Sequence, residues 1–161
     1  MRRLISAIWT QALQPMLRRP PRRQVAALCW REGERGLEVL LISSRGTGRW
    51  ILPKGWPMRG KDLPGAALQE AWEEAGALFV EGPAVPVGRF DSVKVSDSGL
   101  PEPSEVRVFA AEVRALADDY PEKGQRRRRW ASPAEAAELV EEAGLAELIR
   151  RFGRARPRPA G

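Results

Sequence analysis

Residues 55–77 read GWPMRGKDLPGAALQEAWEEAGA, and this stretch decides the fold of the chain. A loop rich in glycine and proline leads into a run of good helix formers that ends in glycine. Pro64 suits the first turn of a helix, and Gly76 suits a left-handed cap at its end. This punctuation predicts a short helix over residues 64–75.

Three glutamates of the predicted helix lie on one face. At about 100° per residue, Glu70, Glu73 and Glu74 fall within roughly one third of the circumference. The opposite side carries the residues expected to pack: Leu68, Ala71, Trp72 and Ala75. Carboxylates about 6 Å apart repel by roughly 3 kcal/mol at an effective dielectric near 20. A hard divalent cation would relieve that repulsion, whereas without one the cluster is an ordinary solvated face.

The sequence before the helix favours the metal site over the solvated face. Residues 49–56 read RWILPKGW, a short apolar run that breaks into proline and glycine. Such a break is typical of a strand that ends where a loop passes over a ligand. Because this loop leads directly into the acidic helix, the combination predicts a metal site for cutting phosphate anhydrides.

The same residues resemble the signature of the Nudix hydrolases, G-x5-E-x7-R-E-U-x-E-E-x-G-U, in which U is aliphatic. The positions that match in register are Gly55, Glu70, Glu73, Glu74 and Gly76. Two positions depart, since Lys61 replaces the first glutamate and Gln69 replaces the arginine. The resemblance implies that this arginine and the glutamates brace one another. Losing one positive and one negative member either keeps the local charge balance or leaves a less active box.

The flanking segments add to the resemblance. Residues 22–30 (RRQVAALCW), 37–42 (LEVLLI) and 43–45 (SSR) precede the box in the family's order. The chain is most similar to the branch that contains the diphosphoinositol polyphosphate and diadenosine polyphosphate hydrolases. The likeness runs from residue 22 to Trp130, although only the box is a specific motif.

The resemblance implies a mechanism based on Mg²⁺, with Mn²⁺ as an alternative ion. Glu70 and Glu74 would hold the ion with help from the Gly55 carbonyl, because magnesium prefers oxygen ligands and retains several waters. The ion would neutralise the anhydride and position water for attack at phosphorus. Family resemblance makes Glu73 the general base, a choice that spacing alone does not make among the three glutamates. Lys54 is expected close enough to stabilise phosphate charge.

Arginine-rich segments are candidates for binding substrate phosphate. In a strand over residues 126–131, Arg126 and Arg128 share a face with Trp130, and guanidinium groups bind phosphate oxygens bidentately. The alternative is that they pair with surface glutamates of the following helix. The positions at which the resembling branch contacts phosphate hold Arg22, Arg23, Ser44 and Arg45 here. Read without the family, these four are ordinary strand-edge residues.

Composition places the motifs in one folded domain. The 161 residues, 43% of them hydrophobic, suffice for a single core, and no apolar run approaches the roughly 18 residues that span a bilayer. The single cysteine, Cys29, allows neither an internal disulfide nor a cysteine zinc site, and the lack of histidine excludes a serine–histidine triad. We expect a cytoplasmic protein whose chemistry rests on carboxylates, lysine and metal.

The net charge of +6 does not favour a nucleic-acid partner, because the basic residues concentrate at the chain ends. Residues 1–31 hold seven arginines and residues 150–161 hold five, both without acids, whereas the residues between carry 15 basic and 21 acidic side chains. We expect a basic extension over residues 1–21, a Nudix hydrolase domain over 22–153 and a disordered tail over 154–161. The expected partner is a small phosphorylated substrate and not a membrane. The sequence gives no oligomeric state.

The pattern of apolar runs predicts an α/β fold. Strands are predicted at residues 23–31, 37–43, 50–53, 84–94, 104–114 and 126–131, and helices at 64–75, 133–142 and 144–152. Strands before and after a central helix, with a helical C-terminal part, indicate an α/β/α sandwich around a mixed β-sheet. The Nudix resemblance implies the same architecture.

The sequence thus predicts a metal-dependent hydrolase of phosphate anhydride (pyrophosphate) bonds. The substrates expected from the resemblance are nucleoside diphosphate derivatives or dinucleoside or inositol polyphosphates. Residues 100–105 (LPEPSE) are acidic where inositol enzymes of this branch are more basic, which disfavours the inositol compounds. The alternative is a non-catalytic Nudix-like module, with turnover lost through Lys61 and Gln69, that binds a nucleotide or an RNA end.

Overall fold

The computed structural model describes residues 21–95 and 98–155. The strands in these ranges are β1 Arg22–Gly33, β2 Gly36–Ser43, β3 Trp50–Ile51, β4 Lys54–Gly55, β5 Ala77–Phe79, β6 Val85–Val95, β7 Pro101–Leu116 and β8 Arg128–Ala131. The helices are α1 Leu63–Ala75, α2 Pro133–Leu139 and α3 Ala143–Ala155. Most of the predicted extension (1–21) and most of the predicted tail (154–161) lie outside the described residues.

The centre of the sheet is a parallel pair. β1 and β7 run side by side from Arg22 opposite Ser104 to Trp30 opposite Glu112, and every other strand pair is antiparallel. The order across the sheet is β3-β2-β1-β7-β5, with β4 on β1, β6 on β7 and β8 on β2. Residues 25–29 of β1 are fully buried because helices cover both faces of the strand. The prediction of a mixed sheet is confirmed.

One layer of helix covers each face of the sheet. The alanines of α1 pack with β1, β2 and β7 on one face, and their small size lets the helix backbone approach the sheet closely. On the other face, α2 buries Ala136 and Ala137, and α3 inserts Leu145, Leu148 and Ile149, each almost fully buried and worth about 1.5–3 kcal/mol relative to exposure. The predicted α/β/α sandwich is therefore confirmed.

The predicted elements differ from the observed ones mainly at their ends. The expected strand over residues 50–53 is two short pieces, because the chain leaves β2 after Ile51, and the Pro53 carbonyl then accepts a hydrogen bond from Ala27 of β1. β5 was not predicted. β8 begins at Arg128, two residues later than predicted. α2 ends at Leu139 because Val140 is extended, and α3 continues to Ala155.

Cys29 lies in the buried part of β1, as predicted. Its side chain is inaccessible, and burial raises the pKa of the thiol to about 12. The thiol is therefore protonated at neutral pH and acts as a small apolar side chain.

Candidate active site

Helix α1 is fixed at both ends by local chemistry. Asp62 caps the first turn by accepting a hydrogen bond from the Gly65 amide at 2.8 Å, and proline follows within that turn. At the other end Gly76 has φ +68°, the left-handed cap that the sequence predicts. A side chain at Gly76 would also collide with the Tyr120 ring. Glycine is therefore required by backbone conformation and by space.

Tyr120 belongs to the β7–β8 connection, residues 117–127, which folds around the C-terminal end of α1. Backbone amides of this connection donate to α1 and to the cap of that helix. The Ala117 amide donates to the Gly76 carbonyl at 2.8 Å, and the Glu122 amide donates to the Glu73 carbonyl at 2.9 Å. At the start of β8, Arg128 donates to the Ala75 carbonyl at 3.1 Å and to the Ala117 carbonyl at 2.9 Å. A cation on the last carbonyls of a helix offsets its negative end.

Glu70 and Glu74 of α1 converge on the short strand β4. The Glu70 carboxyl lies against Gly55, where any side chain would overlap it, and Glu74 Oε2 accepts a hydrogen bond from the Lys54 amide at 3.2 Å. The two carboxyls also influence each other, since the interaction with Glu74 lowers the pKa of Glu70. The signature glycine is thus explained here by the carboxylate that packs on it.

Burial makes both carboxyls poor acids in the metal-free protein. The pKa of Glu74 rises to about 8, chiefly because its side chain is removed from water, while Arg126 and the Lys54 amide oppose the rise. Burial also raises the pKa of Glu70, and repulsion from Glu73 and Glu122 adds to the rise. At neutral pH, therefore, this pair of carboxyls retains a proton that a bound cation would displace.

The sequence expectation of one carboxylate face opposite one packed face is wrong in detail. Glu74 is only 6% exposed and lies beside the alanines of the packed face, whereas Leu68 and Trp72 are only partly buried. Glu73 is partly buried and accepts a hydrogen bond from Gln69 Nε2 at 3.2 Å. The helix is turned because its narrow alanine side, not its larger side chains, meets the sheet.

The donor set around Glu70 consists of oxygen atoms, which fits a hard divalent cation. Within residues 21–95 and 98–155, no three acidic or cysteine side chains are grouped closely enough to hold an ion by themselves. Two carboxylates with a backbone carbonyl, water and substrate oxygens are nevertheless a usual ligand set for magnesium. The residues present therefore fit the ion without forming a closed cage.

Arg126 and Glu122 complete the cluster from the β7–β8 connection. Arg126 Nη2 lies 3.5 Å from Glu74 Oε1, its Nε lies 3.7 Å from Glu122 Oε1, and its Nη1 donates to the Ser43 carbonyl at 3.3 Å. The sequence assigned no role to Glu122, because nothing local links it to a helix about fifty residues earlier. Only the folded connection brings it to the site.

The remaining predicted phosphate-binding residues lie on two sides of this cluster. Arg45, at the end of β2, is 3.9 Å from Glu122 and donates to Gln125, while the Ser44 hydroxyl shares a hydrogen bond with Thr47. On the side of β4, Arg22 and Arg23 are exposed at the start of β1. The Arg22 guanidinium lies over the exposed Trp56 ring at 5.1 Å and pairs with Glu102 at 3.9 Å.

An open cavity lies away from this site. A space of about 470 Å³ opens beside β6 and the end of α3, with Trp30 and Phe152 among its lining residues. It contains none of the residues predicted for the site. Trp30 is five residues along β1 from Val25, the partner of Gly55, which places the cavity about 16 Å along the strand from the carboxylates.

Comparisons with known proteins agree with this fold. The family model of the NUDIX domain matches residues 20–156. Diphosphoinositol polyphosphate phosphohydrolase 3-alpha of Mus musculus is 32% identical over 123 residues, which cover 74% of this chain and 70% of that relative. Nudix hydrolase 12, mitochondrial, of Arabidopsis thaliana is 34% identical over 120 residues, which cover 72% of this chain and 58% of that relative. The crystal structure of C. elegans Ap4A hydrolase superposes with a TM-score of 0.59 at 20% identity, covering 83% of this chain and 97% of that one.

The chain therefore belongs to the Nudix family, and this membership makes it a pyrophosphohydrolase. Enzymes of this family generally use divalent metal ions. Among the residues that the structure describes, no helix is long and apolar enough to cross a membrane. Relatives include mitochondrial and chloroplastic proteins, so the cytoplasmic location stays a prediction.

Proposed function

We propose that this chain hydrolyses phosphate anhydride bonds with a divalent cation, Mg²⁺ or Mn²⁺, in nucleoside diphosphate derivatives or dinucleoside or inositol polyphosphates. The observation that carries the proposal is the convergence of Glu70 and Glu74 on the backbone of Lys54 and Gly55. Two carboxylates at a glycine that lacks room for a side chain, next to a basic cluster, suit a small anionic substrate and its counter-ion.

The metal ligands in this proposal are Glu70, Glu74 and the Gly55 carbonyl. A cation held there would supply the positive charge that neutralises the anhydride oxygens and favours attack of water at phosphorus. The protein prepares for it by keeping the two carboxyls together and partly protonated. The Lys54 amide, which donates to Glu74 Oε2, helps to orient that carboxyl.

Glu73 is proposed as the general base. It is one helical turn from Gln69, whose amide holds one carboxylate oxygen and leaves the other available to accept a proton from water. Its side chain is less buried than that of Glu74 and is therefore more accessible to water. The assignment over Glu70 and Glu74 rests on the family resemblance.

Substrate phosphates are proposed to contact Arg22, Arg23, Ser44, Arg45 and Lys54 at the mouth of the site. Arg126 and Arg128 keep their predicted place in this set only if they exchange their internal contacts for phosphate oxygens. Arg128 would have to release two carbonyls and the Tyr120 ring, which its guanidinium covers at 4.9 Å. For Arg126, a role in holding Glu74 in place is distinguished from substrate binding by a double-mutant cycle and by kinetics.

The proposal is tested by incubating the purified chain with nucleoside diphosphate sugars, diadenosine polyphosphates and diphosphoinositol polyphosphates, with Mg²⁺, with Mn²⁺ or with a chelator. Phosphate products should form only with a cation. Glu73→Gln should reduce kcat by about 10²–10⁴, the usual contribution of a general base, while the thermal midpoint stays near that of the wild type. Full turnover by Glu73→Gln would remove that residue from the role.

The alternative is a module that binds a nucleotide or an RNA end without turnover. The observation that favours it is the loss of two charged positions of the box, at Lys61 and Gln69. It predicts that the same ligands bind, as measured by calorimetry, and are recovered intact after prolonged incubation with Mg²⁺.

A further inference from the structure

Gln69 leaves the box of this chain without its arginine. The side-chain amide of Gln69 is neutral and donates a hydrogen bond to Glu73, one turn further along α1. Glu74, on the buried side, is out of reach for residue 69, because positions five apart do not face each other on a helix. The positive charge next to Glu74 must therefore come from another part of the chain.

Arg126 provides that charge from the β7–β8 connection. Its guanidinium contacts three groups on three different elements: Glu74 of α1, Glu122 of the connection and the carbonyl of Ser43 at the end of β2. The side chains of Arg126 and Glu74 are both only 8% exposed. A guanidinium that contacts both carboxyl groups offsets the repulsion between them whenever both are ionised.

The geometry also limits what else Arg126 can do. Its Nη1 and Nη2 donate to protein oxygens at 3.3 and 3.5 Å, while its buried Nε lies 3.7 Å from Glu122 Oε1 without forming a hydrogen bond. Binding a phosphate bidentately through Nη2 would require Arg126 to give up its contact with Glu74. By contrast, the neighbouring Arg127 is exposed and stacks on the Trp50 ring at 4.9 Å. Within residues 21–95 and 98–155 it donates to the Gly48 carbonyl and forms no ion pair with a carboxylate.

We propose that Arg126 is a positioning residue that supplies, from outside the box, the positive charge next to Glu74, a contact that position 69 does not make. It holds the Glu74 carboxylate in place and fastens the β7–β8 connection to α1, and it is not a substrate clamp. Its consequence for turnover rests on the proposed function, whereas the bracing of Glu74 is a property of the metal-free protein.

The bracing is tested with a double-mutant cycle on the full chain. Arg126→Gln, Glu74→Gln and the double variant are unfolded with urea in the presence of a chelator. We expect the two substitutions to be coupled by at least tenfold in the unfolding equilibrium constant. The matched control pairs Arg127→Gln with Glu74→Gln, for which the effects should simply add. Additive effects for Arg126 as well would overturn the proposal.

Kinetics separate bracing from clamping. With diadenosine polyphosphates of increasing phosphate number, Arg126→Gln should lower kcat at least tenfold and change KM less than about threefold at every length. Arg126→Lys, which keeps the charge without the fork, should recover part of the lost kcat. A KM that rises with phosphate number at unchanged kcat, or no recovery with lysine, would overturn the proposal. If none of these compounds is hydrolysed, the proposed function fails while the urea cycle still decides the bracing.

Discussion

Replacing Glu74 by glutamine should remove most of the pH dependence of stability of the metal-free protein. The folded-state pKa of Glu74 is about 8, above its ordinary value of 4.5, so the folded chain binds this proton more tightly than the unfolded chain. Its favourable contribution is complete below pH 4.5, is lost as the pH rises towards 8, and is absent above that pH. The raised pKa of Glu70 acts in the same direction.

The size of the effect follows from the shift. Each pH unit inside the window costs about 1.4 kcal/mol of unfolding free energy per proton, so wild type should lose roughly 3 kcal/mol between pH 4.5 and 7 through Glu74. Glu74→Gln cannot titrate, while its amide oxygen can still accept from Lys54. The variant should match wild type near pH 5 and exceed it by a few kcal/mol at pH 8.

The assay is urea unfolding followed by circular dichroism at pH 5, 6, 7 and 8, with a chelator in every buffer. Glu147→Gln serves as the control, because that glutamate is exposed and pairs at the surface with Arg154, so its replacement should leave the wild-type profile unchanged. Parallel stability profiles for Glu74→Gln and wild type would refute the explanation, since they would mean that Glu74 is ionised in the folded chain at neutral pH.

Three further outcomes follow from the same geometry. Gly76→Ala should destabilise the fold by roughly 2–4 kcal/mol in urea, because φ is positive there and the new methyl group would collide with the Tyr120 ring. The control Gly124→Ala, at φ +81° in open space, should cost only about 1 kcal/mol. Equal losses for the two variants would contradict this explanation. Gly55→Ala should displace the flexible Glu70 carboxylate, lowering kcat much more than thermal stability, and unchanged Mn²⁺ binding in calorimetry would argue against it. Mn²⁺ affinity should rise by up to about tenfold per pH unit until pH 8, because the ion displaces the proton of Glu74; a flat calorimetric profile would exclude that exchange.

The parts of the fold that were predictable are those marked by local chemistry. Proline and glycine delimit α1 to within one residue, and a continuous apolar run locates β1, because a strand covered on both faces has no polar side. Alternating apolar and charged residues locate β7. β5 was not predicted because three residues directly after a helix cap are too few to show the alternation of a strand. The pattern of apolar and cap residues therefore predicts the layers of the fold better than it predicts the short strands at the edges of the sheet.

The candidate site was predicted less completely than the fold. The register of the box identified Glu70 and Gly55, yet helical periodicity treated all glutamates as exposed and so missed the burial of Glu74. The partner of that buried acid, Arg126, and the nearby Glu122 lie about fifty residues further on. Their contact depends on the path of the β7–β8 connection, which no local spacing encodes.

The β7–β8 connection packs against the carboxyls of the candidate site and also influences their acidity, because Arg126 lowers the pKa of Glu74 and Glu122 raises it. Inserting or deleting residues between Tyr120 and Arg126 would move Glu122 and the Arg126 guanidinium relative to α1. If the proposed function holds, substrate choice and the pH at which a metal ion binds should therefore be coupled traits. A designer who exchanges this segment for that of a relative should expect both traits to change together.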